Sequence, residues 1–551
     1  MQAKPGRKKQ SAKEIRGIKC QEDEIPMHDP EDADRRAFLK GMLAGAGALT
    51  VAGLGVANAK PVNVMSVARW DVSADVVVIG FGPTGASAAI AAHDASAKVV
   101  ILEKMAVPGG NSGVCFGGIV IPNGVSEAVN HYRKLSGGTV DEDMVEGFAR
   151  AMVGVEDLLS RLGARLRTVR SRSMYEALRD AKLTVSRFNP TGKEGFAFLR
   201  GHVQKRGINV MLKTAARNLV QVPETGEIVG VKAENQGKEI YIKAERGVIL
   251  SCGGYESNPE MFGYYNYPGL NDFVFPLGTP GNTGDGLKMA AGAGAYLWHT
   301  ASLQWYGFCA RAPSKLFGTA IYSGIPAKQQ GGSFIFVNKY GKRFMKETKR
   351  YYHFKGPLEV LYLDHDRAEY PHVPAYLVFD EAYRTGGPLE RSAGPVGYNA
   401  VHGVYDWSTD NSAEIEKGWI VRGDKVGDLS EKIKINRTEL EKTVAEFNQY
   451  SAAGKDLSFG RDKDSMAPIL TPPYYALEMG LAIVNTQGGP RRNKFAQVLD
   501  PDNRPIPRLY AAGELGSFFG FLYEPGSNYP EAIAFGAIAG NQAAAEKPFK
   551  E

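Results

Sequence analysis

Ala74-Asp75-Val76-Val77-Val78-Ile79 runs directly into Gly80-Phe81-Gly82-Pro83-Thr84-Gly85, and that into Ala86-Ser87-Ala88-Ala89-Ile90-Ala91-Ala92. An unbroken β-branched run reads as a strand buried on both faces, and the small-residue run after the glycines reads as a helix. A second apolar run, Lys98-Val99-Val100-Ile101-Leu102, ends at Glu103. Strand, GxGxxG turn, helix, strand and a carboxylate about twenty residues on make up a dinucleotide-binding unit. Gly80 permits the tight turn, Gly82 lets backbone approach a pyrophosphate, and Gly85 lets helix and strand pack closely. The helix N-terminus favours phosphate charge, and Glu103 is placed to accept hydrogen bonds from a ribose.

The wider composition is close to that of an ordinary soluble protein. Of 551 residues 43% are hydrophobic and 23% charged, which excludes disorder as the dominant state. Sixty-six basic residues against 60 acidic give a net charge of +6, too mild and too evenly spread to indicate nucleic-acid binding. The four cysteines, Cys20, Cys115, Cys252 and Cys309, form no CxxC or CxxCH pair, so a disulfide scaffold, a zinc ribbon and a c-type haem are excluded. The nine histidines show no HxxxH spacing, and no metal site is expected. Glycine is the anomaly, at 65 residues against the usual ~7%.

Part of that surplus lies in residues 1–59, which do not read as part of a fold. Asp34-Arg35-Arg36-Ala37-Phe38-Leu39-Lys40 precedes a Gly/Ala-rich apolar run from Gly41 to Ala57 and a small-x-small site at Ala57-Asn58-Ala59. This resembles a twin-arginine signal peptide. About seventeen weakly apolar residues are too few to anchor well in a bilayer, so no stable membrane insertion is expected. The resemblance implies export to the periplasm or beyond, and a cofactor inserted before transport.

Beyond Glu103 come Lys104-Met105-Ala106-Val107-Pro108-Gly109-Gly110-Asn111-Ser112 and then Gly117-Gly118. Farther on lie Ser251-Cys252-Gly253-Gly254-Tyr255 after an apolar run, Thr283-Gly284-Asp285-Gly286, and Leu509-Tyr510-Ala511-Ala512-Gly513-Glu514. In this order these elements resemble the FAD-binding flavoproteins of the fumarate reductase and 3-ketosteroid dehydrogenase superfamily, across nearly the whole chain after the leader. The resemblance implies FAD, held by Gly80, Gly82, Gly85, Glu103, Lys104, Gly110, Asn111, Ser112, Gly117, Gly118, Gly253, Gly254, Asp285, Gly513 and Glu514. It implies an α/β fold, a Rossmann-like FAD-binding domain (60–295 and 469–551) interrupted by an α+β substrate-capping domain at 296–468. Within the latter, Leu440, Val444 and Phe447 have the spacing of an amphipathic helix over 436–450.

The same resemblance directs attention to the reacting groups. Val337-Asn338-Lys339-Tyr340-Gly341-Lys342-Arg343-Phe344-Met345-Lys346-Glu347 matches a capping-domain motif except that Lys346 replaces Asn. Ketosteroid dehydrogenases carry a catalytic tyrosine eight residues beyond the motif arginine, here Tyr351, followed by Tyr352. Fumarate-type reductases use an arginine of an Arg-Asp pair as proton donor; Arg350 sits one residue short of that position and lacks the Asp. The carboxylate clamps of dicarboxylate reductases fall on Val484 and Ser527, and Gln304-Trp305-Tyr306 stands where a His-Pro-Thr is usual. Loss of such partners removes the strongest recognition of a carboxylate.

For a ketone the resemblance implies a tyrosine hydroxyl and a backbone N–H, offered here by Tyr523 with Gly526 or Ser527, with Tyr529 as a competing candidate. The family's additional helical tyrosine is replaced by Phe148. The leading expectation is an exported FAD-dependent oxidoreductase acting on a CH–CH bond next to a ketone of a bulky apolar substrate such as a 3-oxosteroid. Tyr351 would exchange the proton and Tyr523 would hold the oxygen. The alternative is a periplasmic respiratory reductase of an α,β-unsaturated carboxylic acid using Arg350, and a third reading is a flavin subunit that only relays electrons. Either enzyme requires a small-molecule substrate and a separate electron donor or acceptor.

Overall fold

The computed structural model describes residues 59–170, 172–180, 182–188, 191–310, 331–348, 359–389, 397–402 and 405–550. The expected signal peptide, apart from Ala59, and Arg350, Tyr351 and Tyr352 lie outside them. The described residues belong to a unit spanning Asn58–Glu551. No helix among them is long and apolar enough to cross a membrane.

The strand Val72–Ile79 sits at the centre of a nine-stranded sheet. Its Val76, Val77 and Val78 are fully buried, as an unbroken β-branched run requires when both faces are covered. It pairs in parallel with Val99–Leu102 on one side and with the end of Lys238–Leu250 on the other. Asn209–Met211 and Pro505–Ala511 extend this parallel region at either flank. Thr214–Gln221, Ile228–Asn235 and the first half of Lys238–Leu250 add an antiparallel meander.

One face of this sheet is covered by two helices, Pro83–Asp94 and Asn528–Ala545. They approach through glycine: a Cβ on Gly536 would lie 2.5 Å from the Thr84 carbonyl oxygen, and one on Gly540 would lie 2.2 Å from that of Ala88. Part of the glycine surplus therefore serves helix packing. A shared core of Val76, Val78, Ile101, Ile533 and Phe535 lies beneath. Each such aliphatic side chain contributes about 1.5–3 kcal/mol by leaving water.

A second, six-stranded sheet is organised on the long strand Tyr474–Thr486. Ala375–Asp380, Ile420–Gly423 and Leu303–Ala310 pair with it antiparallel, Val274–Pro276 pairs parallel, and Phe334–Asn338 pairs with Ala375–Asp380. Both Val274–Pro276 and Tyr474–Thr486 fall outside the 296–468 span expected for the inserted domain. Tyr474–Thr486 pairs with three strands inside that span and carries Val274–Pro276 with it, and it is the pairing that sets sheet membership. The helix Arg437–Ala453 packs Leu440, Val444 and Phe447 against this sheet, and the Asn436 side chain caps it by accepting from the Glu439 N–H at 3.0 Å. A small antiparallel sheet of Gly118–Pro122, Leu183–Arg187 and Arg167–Arg170 completes the surroundings of the site.

Candidate active site

Two adjoining cavities occupy the C-terminal ends of the parallel strands, where open α/β sheets bind ligands. The first, about 860 Å3, is lined by Gly80 to Thr84, Glu103, Lys104, Gly110, Asn111, Ser112, Gly253, Asp285 and Glu514, among others. The second, about 1170 Å3, is lined by Gly117, Gly118, Tyr523, Gly526 and Tyr529 together with groups from the second and third sheets. Asn111, Ser112, Glu514 and Asn528 line both.

The first cavity fits an FAD dinucleotide on its own geometry. The helix Pro83–Asp94 begins at Gly82, whose position offers no side-chain cap, so the first backbone N–H groups are left for a ligand. Gly80 has φ +103°, and a Cβ there would meet the Ser251 carbonyl oxygen at 2.6 Å. A Cβ on Gly85 would lie 1.9 Å from the Gly80 carbonyl oxygen. Gly85 thus holds the turn against the helix and does not line the cavity.

The Glu103 carboxylate accepts from the Phe81 N–H and the Met105 N–H, both at 2.8 Å, which fixes it at the end of its strand. Burial raises its pKa against the opposing effect of those donors. Lys104 donates to Asp285 at 2.7 Å and to Thr283 Oγ1 at 2.8 Å, closing one wall. Gly254 and Gly513 also act behind the wall: a Cβ on the first would meet Thr486 Oγ1 at 2.1 Å, and one on the second Thr84 Oγ1 at 2.4 Å. Ser251, Thr279, Asn282 and Asn528 line the first cavity as well. They carry no glycine signature and were not expected from the sequence.

The second cavity has a different character. Val114, Phe116, Val169, Val185, Leu277 and Val484 supply much of its wall, with Tyr306 from the Leu303–Ala310 strand. No Lys, Arg or His is among its described lining residues. Val169 and Val185 come from the small three-stranded sheet, which the sequence reading did not identify as part of the site. Val484, the expected clamp position, lines the cavity as an apolar residue, whereas Ser527 is fully buried and lines neither cavity.

Tyr523 is buried, and its hydroxyl oxygen accepts from the Gly526 N–H at 3.2 Å and the Asn528 N–H at 3.5 Å. Tyr523 and Gly526 are therefore together, but not as two parallel donors: the amide points at the phenol oxygen and acts through it. Burial raises the phenol pKa, and the two N–H groups oppose that rise. The Tyr529 hydroxyl instead donates to the Gly192 carbonyl oxygen at 3.4 Å. Phe148, on the helix Glu142–Val153, stacks on Phe518 at a 4.1 Å ring separation inside the aromatic core, so its position brings no hydroxyl to the site.

This architecture has counterparts among known proteins. The family described as FAD binding domain matches residues 75–529. A urocanate reductase of Eggerthella lenta is 30% identical over 497 residues, covering 86% of this chain and 74% of that protein. A 3-oxosteroid 1-dehydrogenase of Mycobacterium tuberculosis is 29% identical over 389 residues, covering 65% of this chain and 64% of that protein. The fold is similar to that of the 3-ketosteroid Δ1-dehydrogenase from Sterolibacterium denitrificans, with a TM-score of 0.66 and 23% identity over 86% of this chain and 99% of that one. The chain belongs to the FAD binding domain family and is an FAD-dependent oxidoreductase of the fumarate reductase and ketosteroid dehydrogenase kind, acting on carbon–carbon bonds.

Proposed function

We propose that this oxidoreductase acts on a CH–CH bond, or in reverse a C=C bond, next to a ketone in a bulky apolar substrate such as a 3-oxosteroid. The observation that carries this reading is the wall of the second cavity: about 1170 Å3, largely apolar, with no Lys, Arg or His among its described lining residues. Among the described lining residues a carboxylate would find no charged partner to replace its hydration, whereas a ketone needs only a hydrogen-bond donor.

FAD, once bound, supplies the two-electron exchange with the substrate. The residues of this chain orient the substrate and move its proton. Tyr523, its oxygen already accepting from the Gly526 and Asn528 N–H groups, is polarised to donate its O–H to the ketone oxygen as charge develops there. Tyr351, outside the described residues, is assigned by its place in the sequence as the group that exchanges the proton on the adjacent carbon. The apolar wall excludes water.

The 30% identity to a urocanate reductase supports the alternative, a respiratory reductase of an α,β-unsaturated acid with Arg350 as proton donor. We further propose that residues 1–59 direct twin-arginine export and that a separate protein or quinone exchanges electrons with the flavin. The discriminating experiment mixes anaerobically reduced holoenzyme with 3-oxosteroid enones in one set and with fumarate, urocanate and cinnamate in another. Reoxidation by the enones, abolished in Tyr351→Phe and retained in Arg350→Ala, supports the ketone reading. Reoxidation by the acids alone sinks it.

A further inference from the structure

Two carboxylates, the buried Glu256 and the half-buried Glu514, stand at the junction of the cavities and have no part in the chemistry above. Asn111 joins them: its Nδ2 donates to Glu256 at 2.6 Å and to Glu514 at 3.2 Å. Neither carboxylate has an ion-pair partner among the described residues. Two negative charges joined by one amide, one of them buried and neither beside a described cation, are not both stable, so the pair holds a proton.

The donors decide which member holds it. Glu256 accepts four contacts: from Asn111, from Asn282 Nδ2 at 2.7 Å, and from Thr486 through its hydroxyl at 3.0 Å and its N–H at 3.4 Å. Among the described residues Glu514 accepts two, from Asn111 and from Asn485 Nδ2 at 2.9 Å. Burial raises the Glu256 carboxyl as well, but its donors oppose that rise, so the better-solvated Glu256 keeps the charge. The other titratable groups that bear on Glu514 are Glu531, Tyr523 and Cys115, none of them a cation. The buried cation beside Glu531, Arg492, is committed to Glu531 itself.

We infer that Glu514 is held as a neutral carboxylic acid, an O–H donor at the boundary between the FAD and substrate cavities, with Glu256 as its ionised partner. Burial and the Glu256 charge raise the Glu514 pKa well above the carboxylate range, in the same direction as the donor count. A neutral acid there does not oppose the negative charge that a reduced cofactor brings, as a fixed carboxylate would. The inference rests on FAD binding and is independent of which substrate is reduced or oxidised.

Infrared difference spectra of the holoenzyme at about pH 7, in H2O and D2O, read the protonated carboxyl directly. The expected result is an exchangeable carboxylic C=O band that is lost in Glu514→Gln and survives Glu256→Gln, where it titrates at lower pH. The flavin midpoint potential provides a second readout. Replacing one neutral group by another leaves it unchanged in Glu514→Gln, whereas Glu256→Gln raises it by removing a charge. A band that is absent from the wild type or unaltered in Glu514→Gln overturns the inference, as does a potential raised in Glu514→Gln. Should Glu514→Gln fail to retain FAD, Glu514→Asp shifts the band where Glu514 is its source and leaves it unmoved where it is not.

Discussion

Arg343 and Asp456, 113 residues apart in the chain, meet in a two-contact ion pair, Nη1 to Oδ1 at 3.2 Å and Nη2 to Oδ2 at 2.8 Å. The same guanidinium grips Glu347 at 2.7 and 2.8 Å and lies over the rings of Phe447 and Phe459. The motif arginine that guided the search for catalytic groups is thus a staple of the second sheet, tying the end of the Phe334–Asn338 strand to the helix Arg437–Ala453 and the turn after it.

Asp456→Asn tests that staple. Arg343 keeps its Glu347 partner in that variant, so no charge is left unmatched and the loss is that of hydrogen bonds to a charged group, about 1.5–3 kcal/mol. Burial alone would raise the Asp456 pKa, but Arg343 and the Arg461 N–H overcome this and hold it at about 2. A carboxylate depressed in this way stabilises the fold above its ordinary value of about 3.9, and that contribution is lost as the pH falls through the folded pKa. Urea midpoints measured from about pH 5 downward should fall more steeply in the wild type than in Asp456→Asn. Equal slopes would show that Arg343 does not set the Asp456 titration.

Gly85 and Gly201 make a contrasting pair. A Cβ at Gly85 meets backbone at 1.9 Å, while one at Gly201, inside the helix Gly192–Lys205, meets nothing within 4 Å. Gly85→Ala is expected to lose FAD during purification and to unfold at lower denaturant. Gly201→Ala is expected to retain FAD and gain about 0.5–1 kcal/mol, because alanine is the better helix former. Absorbance of bound flavin together with denaturant melts checks both.

Val185 is buried and lines the second cavity from the three-stranded sheet. Val185→Phe fills part of that space and is expected to weaken binding of a bulky ketone at least tenfold, on the order of 1.4 kcal/mol, while turnover of a small enone persists. Spectral titration of the flavin with ligands of graded size reads this. Equal losses for all sizes would indicate general damage to the fold.

The FAD half of the site was largely legible because its geometry is imposed at fixed spacings. Gly80, Gly82 and Gly85 sit where backbone must turn or approach closely, and Glu103 ends the next strand. Thr279, Asn282 and Asn528 were not legible, since a polar side chain in a loop announces no partner. The wall of the second cavity was harder still. Val169 and Val185 resemble any strand valines, and only pairing of Gly118–Pro122 with Leu183–Arg187 brings that sheet to the cavity. The positions of Val274–Pro276 and Tyr474–Thr486 show the same limit, because long-range pairing assigns a strand to its sheet and local pattern does not.

Tyr523 carries the sharpest test of the chemistry. Its oxygen accepts from the Gly526 N–H at 3.2 Å, so its own proton is directed away from that amide. Removing one donor of this kind from a site where negative charge develops lowers kcat by about 10²–10³. Tyr523→Phe keeps the ring and its packing, so KM for a ketone substrate should change little while kcat falls by that factor. Tyr529 lines the same cavity, but its hydroxyl is engaged with the Gly192 carbonyl oxygen. Tyr529→Phe should therefore leave kcat within a few-fold of wild type and lose only about 1 kcal/mol of stability. Steady-state kinetics on both variants, with FAD content matched, separates the roles. A larger kcat loss in Tyr529→Phe than in Tyr523→Phe would move the oxygen-holding role to the other tyrosine.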